Sequence, residues 1–479
     1  MAEVQQDQGI GRRITRYGTI LAVTGILCKI LLLIYTVWAV DVLGKEGFGR
    51  IEYFIEMAII FTVLVDFGME QTITRELARR REELPQLVHP LMLFRLLVTI
   101  GGAILMALFL RLTAKPEHTW LLIGCAILYY FIVSHVMLIR AYVRSCEWLG
   151  YEGTANLLDK MVHIGLAFAV LWLLPSLPLI MLCYSAGALV SLLIYIYVII
   201  RHLGWKITPF SLSLGITWQA LAVPIGLSAA CILLLHRQDT AMVNWIRGDE
   251  ETGLYRAPYR FLEGLFLFPQ VLAIAAYPVF SKLFHEQRPF IQTAADLLRG
   301  LFMLSLPITI GGTMVAADMM HTLTPELGTA GGWVFMILLW SLPFIYANFL
   351  LGTILNATDR QRDNLIASAA GLICNAVLNI PAIFLWGAYG ASITTVLSQG
   401  MYCLIMFAYL RHYSLIQGVW SYSILLLSCV VMALVLYLVE YPWFIEVLIG
   451  AAVYCFLMVS LRGITLHELK NLKRVVSKN

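Results

Sequence analysis

Gly44-Lys45-Glu46-Gly47-Phe48-Gly49 and Gly248-Asp249-Glu250-Glu251-Thr252-Gly253 lie 204 positions apart, and both read G-x-E-x-x-G. Each falls in the turn between the first and second long apolar segments of a run of six. The chain therefore reads as two related six-helix halves. Aligning the turns carries Glu52 onto Arg256, Glu56 onto Arg260 and Arg95 onto Arg299. Because six is even, both halves enter the membrane in the same sense. An axis along the membrane normal is expected to relate them, with a cavity between them. Such duplications belong to transporters that rock one half against the other.

Composition supports the membrane reading. The chain is 60% hydrophobic and 13% charged, where a soluble domain carries about 25% charged residues. Fourteen apolar stretches of 18 residues or more cover 17–40, 51–68, 89–110, 120–142, 157–174, 176–200, 214–235, 254–280, 296–317, 333–355, 364–386, 388–410, 419–439 and 443–461. Each is long enough to cross a hydrocarbon core of about 30 Å. The first is too long for a signal-peptide core of about 7–15 residues, and no small-residue cleavage site follows it. The expected fold is an all-α integral membrane protein of about 14 transmembrane helices. Residues 1–206 form an N-terminal six-helix lobe and 207–411 its C-terminal counterpart. Residues 412–479 add two further helices and a basic tail.

The formal net charge is only +4, and its placement says more. With the N-terminus inside, the inner loops and tails carry 21 of the Lys and Arg residues and the outer loops 6. That bias places both termini in the cytoplasm and supports an even number of spans. The nine cysteines lie almost entirely inside apolar segments, with no CxxC pair. They read as small packing residues rather than a disulfide framework or a zinc site. No metal and no cofactor is expected.

Charge inside the apolar segments is where function is sought. Lys29 sits near the middle of the first segment, between Ile26-Leu27-Cys28 and Ile30-Leu31-Leu32. An ammonium at that depth costs about 2.5–3.5 kcal/mol even on insertion scales. It is expected to face protein or water, either lining a cavity or paired with an acid on a neighbouring span. Arg256 and Arg260 share a helix face, joined by Glu263. Glu52 and Glu56 form the matching acidic stripe, and all three acids are candidates for coupling or gating. Paired, the stripes would close the outer mouth; unpaired, they would open a wet, basic face suited to a phosphate. Arg256 and Glu52 are also shallow enough to be interfacial. Asn375 and Asn379 stand one helical turn apart before Pro381, placed to line a cavity or to bond between helices. Pro224, Pro269, Pro278, Pro307 and Pro343 are hinge candidates. Asp66, Asp159, Lys160 and His163 read as lying near cytoplasmic helix ends, where local pairing or capping explains them.

No P-loop, HExxH, GxSxG or Asp-x-Asp motif occurs, so no catalytic constellation is visible. Nucleic-acid binding is not expected; the basic runs read as topology signals that touch anionic lipid.

Several short motifs, in order, carry a family resemblance. Leu43 through Gly49, then Asp66-Phe67-Gly68 and Thr74-Arg75-Glu76-Leu77, resemble the first two helices of bacterial polysaccharide flippases (O-antigen type). So do Thr252-Gly253-Leu254-Tyr255, Tyr259 through Glu263, and Tyr277-Pro278-Val279-Phe280-Ser281, for the seventh-to-eighth helix region. Asn356 through Gln361, Asn375 through Asn379, and Gly387 through Ser392 resemble the tenth to twelfth helices. The likeness runs to about residue 410. These flippases belong with multidrug (MATE-type) exporters and lipid II flippases in the MOP superfamily. Fourteen spans would suit the lipid II branch, but its arginine-rich first-helix pattern is not evident.

The resemblance implies a flippase, not an enzyme, in a bacterial inner membrane. It would carry undecaprenyl-diphosphate-linked oligosaccharide from the cytoplasmic to the outer leaflet. Its partners would be that glycolipid, membrane lipids, and the polysaccharide polymerase and glycosyltransferases of the same pathway. The diphosphate would meet Lys29 and Arg260, with Arg256, Asn375 and Asn379 as further cavity candidates. The alternatives are a MATE-like drug/cation antiporter, which calls for an acid-dominated cavity, and a membrane-embedded polysaccharide polymerase or ligase, which calls for a large outer loop carrying Arg or His.

Overall fold

A computed structural model describes residues 2–113, 115, 119–203, 206–416, 419–461 and 463; for 2–22, 79, 81, 224, 225 and 419–421 it describes the backbone alone. Among the described residues there is no strand. The helices are α1 (Ala2–Asp66), α2 (Met69–Arg79), α3 (Leu84–Leu112), α4 (Trp120–Ser145), α5 (Leu149–Leu173), α6 (Leu177–His202), α7 (Leu212–Arg247), α8 (Asp249–Leu265), α9 (Leu267–His285), α10 (Ile291–Leu323), α11 (Gly328–Leu339), α12 (Leu342–Ala357), α13 (Gln361–Leu410), α14 (Val419–Leu438) and α15 (Trp443–Ser460).

Ten of the resulting stretches are long and apolar enough to cross a membrane. Two of them are double. Gly44 (φ 67°, ψ 171°) breaks α1, and Gly387 (φ 56°, ψ −131°) breaks α13. The bent helix α7 and the shorter apolar helix Tyr422–Leu438 complete a set of fourteen among the described residues. This is the all-helical, multi-pass membrane fold that the apolar pattern predicts. The bend in α7 is 67°, between Val223 and Gly226, at Pro224. Pro343 lies in the first turn of α12, where proline costs no hydrogen bond, beside the break between α11 and α12 inside the single span Pro325–Ala357.

The chain forms two compact units, Arg16–Gly253 and Leu254–Asn479, the latter including Met1–Thr15. Helix α7 falls in the first of these units, where it packs against α2 and α3.

In the first unit, α2, α3, α4 and α6 meet in a core that includes Met69, Ile73, Leu84, Leu91, Leu138, Tyr142, Tyr195 and Val198. Arg95 of α3 is buried at its edge and spends its whole fork there. Nε donates to the Ser134 carbonyl (3.2 Å), Nη1 to the Val65 carbonyl (3.2 Å) and Nη2 to Asp66 Oδ1 (2.9 Å). In the second unit, α10 packs against α11, α12, α14 and α15. Leu425, Cys429 and Met458 of the last two helices bury against Phe302, Met303, Leu306 and Ile310. Tyr454 donates to the Met303 carbonyl (2.7 Å), and Arg299 Nη2 donates to the Gly463 carbonyl (2.5 Å) just beyond α15.

Candidate functional site

The duplicated turns meet. Gly44 and Gly248 (φ 102°, ψ −175°) occupy the same backbone region, which essentially only glycine enters. Five residues after each, a glycine lets the two turns touch. A Cβ on Gly49 would strike the Asp249 carbonyl, and one on Gly253 would strike the Lys45 carbonyl. Asp249 is the repeat equivalent of Lys45, and Gly253 of Gly49, so the contact is reciprocal.

Charge reinforces it. Lys45 Nζ pairs with Glu250 (2.5 Å), and Arg50 bridges Asp249 and Glu46 (2.7 Å each). Asn244 Nδ2 donates to Asp249 Oδ1 (2.7 Å), and Lys115 Nζ to the Asn244 carbonyl (2.9 Å). Below the turns, Glu56 is fully buried and accepts from Arg237 Nη1 of α7 (2.6 Å). Glu52, one turn above it, is also fully buried. Both acids are thus inside protein rather than on an exposed surface.

On α8, Arg256 Nη1 and Nη2 reach Glu263 Oε1 and Oε2 (3.2 and 3.3 Å), with the guanidinium 5.3 Å from the Tyr259 ring centre. Arg256 is therefore buried in a forked pair within its own helix. Arg260 is buried as well. Asn375 and Asn379 are fully buried in a ladder across the two arms of α13. Asn379 Nδ2 donates to Asn375 Oδ1 (3.0 Å), Asn375 Nδ2 to Ser398 Oγ (3.3 Å), and Thr394 Oγ1 donates to Asn379 Oδ1. Their amides bond between the two arms, one of the two roles the sequence left open.

Lys29 is half-buried on α1. Its neighbour Cys28 lies against the Asn156 carbonyl of α5 (3.7 Å), within electrostatic reach of Lys29, Asp159 and Lys160. Asp159 and Lys160 pair at 3.6 Å. One turn on, His163 is fully buried, with its ring centre 3.6 Å from that of Tyr184 and 5.2 Å from that of Tyr35. This corrects the sequence placement near a helix end. Helix α5 starts at Leu149, so Asp159 is about 15 Å and His163 about 21 Å along it. Two lysines, an aspartate and an imidazole thus gather at mid-span. The sequence concealed this because Glu152, Thr154 and Asn156 lower the apolarity of the first turns.

At the opposite end from the turns, Glu70 of α2 takes a forked pair from Arg140 (2.8 and 2.9 Å) and a third bond from Arg144 (2.8 Å). Arg144 also binds Glu152 (2.5 Å). Burial pushes the Glu70 carboxyl up, but the two guanidiniums outweigh it and hold it below the ordinary glutamate value of 4.5. These arginines are therefore structural clamps.

The model of the family described as "Polysaccharide biosynthesis protein" matches residues 14–284, more than half the chain. The chain belongs to that family. The MatE model matches residues 224–380. No curated protein sequence matches. The fold is similar to that of a lipid II flippase MurJ in an inward closed conformation, at 15% identity and TM-score 0.78, over 93% of this chain and 99% of that one. It is also similar to an inward-facing multidrug resistance MATE transporter of the MOP superfamily (16%, TM-score 0.61, covering 82% and 97%). A MOP superfamily transporter from Pyrococcus furiosus, titled for the reverse polarity of its binding pocket, matches at 16% and TM-score 0.58 (84% and 97%). The expected family and the MOP-type transporter fold are thereby found.

Proposed function

We propose that the protein is a flippase. It moves undecaprenyl-diphosphate-linked oligosaccharide, of the O-antigen type, from the cytoplasmic to the outer leaflet of a bacterial inner membrane by alternating access. The observation that carries this reading is the charged cluster at mid-span, Lys29 and Lys160 with Asp159. Ionisable groups at such depth serve transport far more often than stability. A diphosphate is the ligand that rewards two ammonium groups there. The sugar hydroxyls need water or protein partners, which the hydrocarbon lacks, while the prenyl chain stays in lipid throughout.

Arg260 is the second proposed diphosphate contact. The buried Glu52, Glu56 and Glu263 are proposed to gate or couple the cycle, since Glu56 and Glu263 each hold an arginine that a phosphate could compete for and Glu52 lies one turn from Glu56. The reciprocal turns are proposed as the outer closure. Polymerase and glycosyltransferases of the same pathway are the proposed partners, with both termini on the cytoplasmic side.

Surface glycan in cells carrying Lys29→Ala or Arg260→Ala tests this. Loss of glycan with the protein still in the membrane is expected in both; wild-type glycan in both removes the basic-site mechanism. The MatE match over residues 224–380 favours one second reading, a drug/cation antiporter. Raised drug tolerance on expression, with no effect on glycan, would establish it instead.

A further inference from the structure

A groove of about 810 Å³ opens between α3, α4 and α6, and none of Lys29, Asp159, Lys160 and His163 lines it. Its walls are aliphatic or aromatic except at His89, His135 and Ser185. Each of those three spends a hydrogen bond on a backbone carbonyl: His89 Nδ1 on Thr208 (2.8 Å), His135 Nδ1 on Phe131 (2.8 Å) and Ser185 Oγ on Met181 (3.1 Å). The surface is therefore close to purely apolar. Leu128, Leu182 and Leu189 along its rim are 43%, 39% and 42% exposed, so the groove opens sideways. Helices α3, α4 and α6 are all membrane-spanning, so what it opens onto is the hydrocarbon.

Its length selects the occupant. The core contacts place the start of α3 beside the ends of α4 and α6. His89 is five residues from that end of α3, about 8 Å, and Leu128 and Leu182 are 17 and 20 residues from it, about 26–30 Å. The groove thus runs for roughly 20 Å, longer than one leaflet, which is about half of a 30 Å core. An acyl chain rooted in one leaflet ends near the midplane; a polyprenyl chain does not. At the near mouth, Lys206 stands two residues from Thr208, whose carbonyl holds His89, and Arg201 stands in the last turn of α6; both are exposed. A lipid with a long chain and an anionic head matches both ends.

We propose that the groove between α3, α4 and α6 seats the polyprenyl chain of the substrate, with its diphosphate at the mouth beside Arg201 and Lys206. This rests on the lipid-linked substrate proposed above and adds where the chain is held. The head is then free to be drawn toward Lys29 while the chain remains tethered.

The test uses the full chain in nanodiscs of phosphatidylethanolamine and phosphatidylglycerol. A trace of polyprenyl diphosphate carrying a photoreactive group on its chain is added, and labelled peptides are mapped by mass spectrometry. Labelling of α3, α4 and α6 is expected, displaced by excess undecaprenyl diphosphate and not by added phosphatidylglycerol. Ala186→Trp and, separately, Leu189→Trp fill the groove and should each lower that labelling about tenfold. Equal labelling there by a photoreactive phospholipid would make the groove ordinary lipid contact and overturn the proposal. Labelling confined to other helices would overturn the groove while leaving the lipid-linked substrate standing. No polyprenyl labelling above the phospholipid background anywhere would remove both.

Discussion

Arg95 and Arg299 hold equivalent places 204 positions apart, yet they do different work. Arg95 faces Asp66 and two carbonyls of neighbouring spans, and closes the first half on itself. The position matching Asp66 in the second half is Gln270, so Arg299 has no repeat-equivalent acid. It reaches instead to the carbonyl of Gly463, beyond α15. That bond ties α10 to the segment just beyond the last of the two extra helices. A duplicated fold thus diverges by redirecting an inherited charge rather than by inventing a new one.

The sharpest way to break this comparison is Arg95→Ala. It strands Asp66 as a buried carboxylate and should cost about 3–5 kcal/mol, read as thermal unfolding in detergent. Adding Asp66→Asn should recover part of the loss; no recovery would mean that the carbonyl bonds, not the pair, carry the clamp. Arg299→Ala removes one charge-assisted bond and should cost about 1.5–3 kcal/mol. The loss should appear as faster hydrogen exchange in α14 and α15 with α3 unchanged. Exchange that rises equally in both halves would contradict the division of labour.

Where the halves match, the effects should match. Gly49→Ala and Gly253→Ala each drive a methyl into the other turn's backbone, at about 1–3 kcal/mol apiece. Costs that differ by more than this range would show that the reciprocal contact is not symmetric in energy.

The smallest expected effect is electrostatic. Glu70 has a depressed pKa, so it contributes stability above the ordinary glutamate value of 4.5 that is lost as pH falls through its folded value. Its repeat equivalent is Ile274, so this contribution has no counterpart at the matching place in the second half. Glu70→Gln should flatten the loss of melting temperature between pH 5 and pH 3, about the range where carboxylates protonate; an unchanged acid limb would place its origin elsewhere.

Much of this was legible in the sequence. The fourteen spans follow from apolar runs, which any bilayer demands. The G-x-E-x-x-G turns announced the repeat, and the structure adds that the first glycine of each has positive φ. Partner choice was not legible. Glu56 meets Arg237 of another helix because helix rotation and register decide such pairs; Arg256 and Glu263 share a face of α8, but that spacing did not say that they would pair with each other. The mid-span cluster was missed for a related reason. Glu152 breaks the apolarity of α5 and hid its first turns, although Arg144 neutralises that acid in the fold. The asparagines on α13 were found, but only the kink at Gly387 showed that they bridge its two arms.

The decisive measurement is transport of a fluorescent polyprenyl-diphosphate-linked oligosaccharide in proteoliposomes, comparing wild type, Lys29→Arg and Lys29→Ala at equal incorporation. Positive charge held at mid-span for a diphosphate predicts that the arginine variant keeps measurable transport while the alanine variant falls to the empty-vesicle rate. A Lys29→Ala protein that flips the glycolipid at the wild-type rate would contradict it.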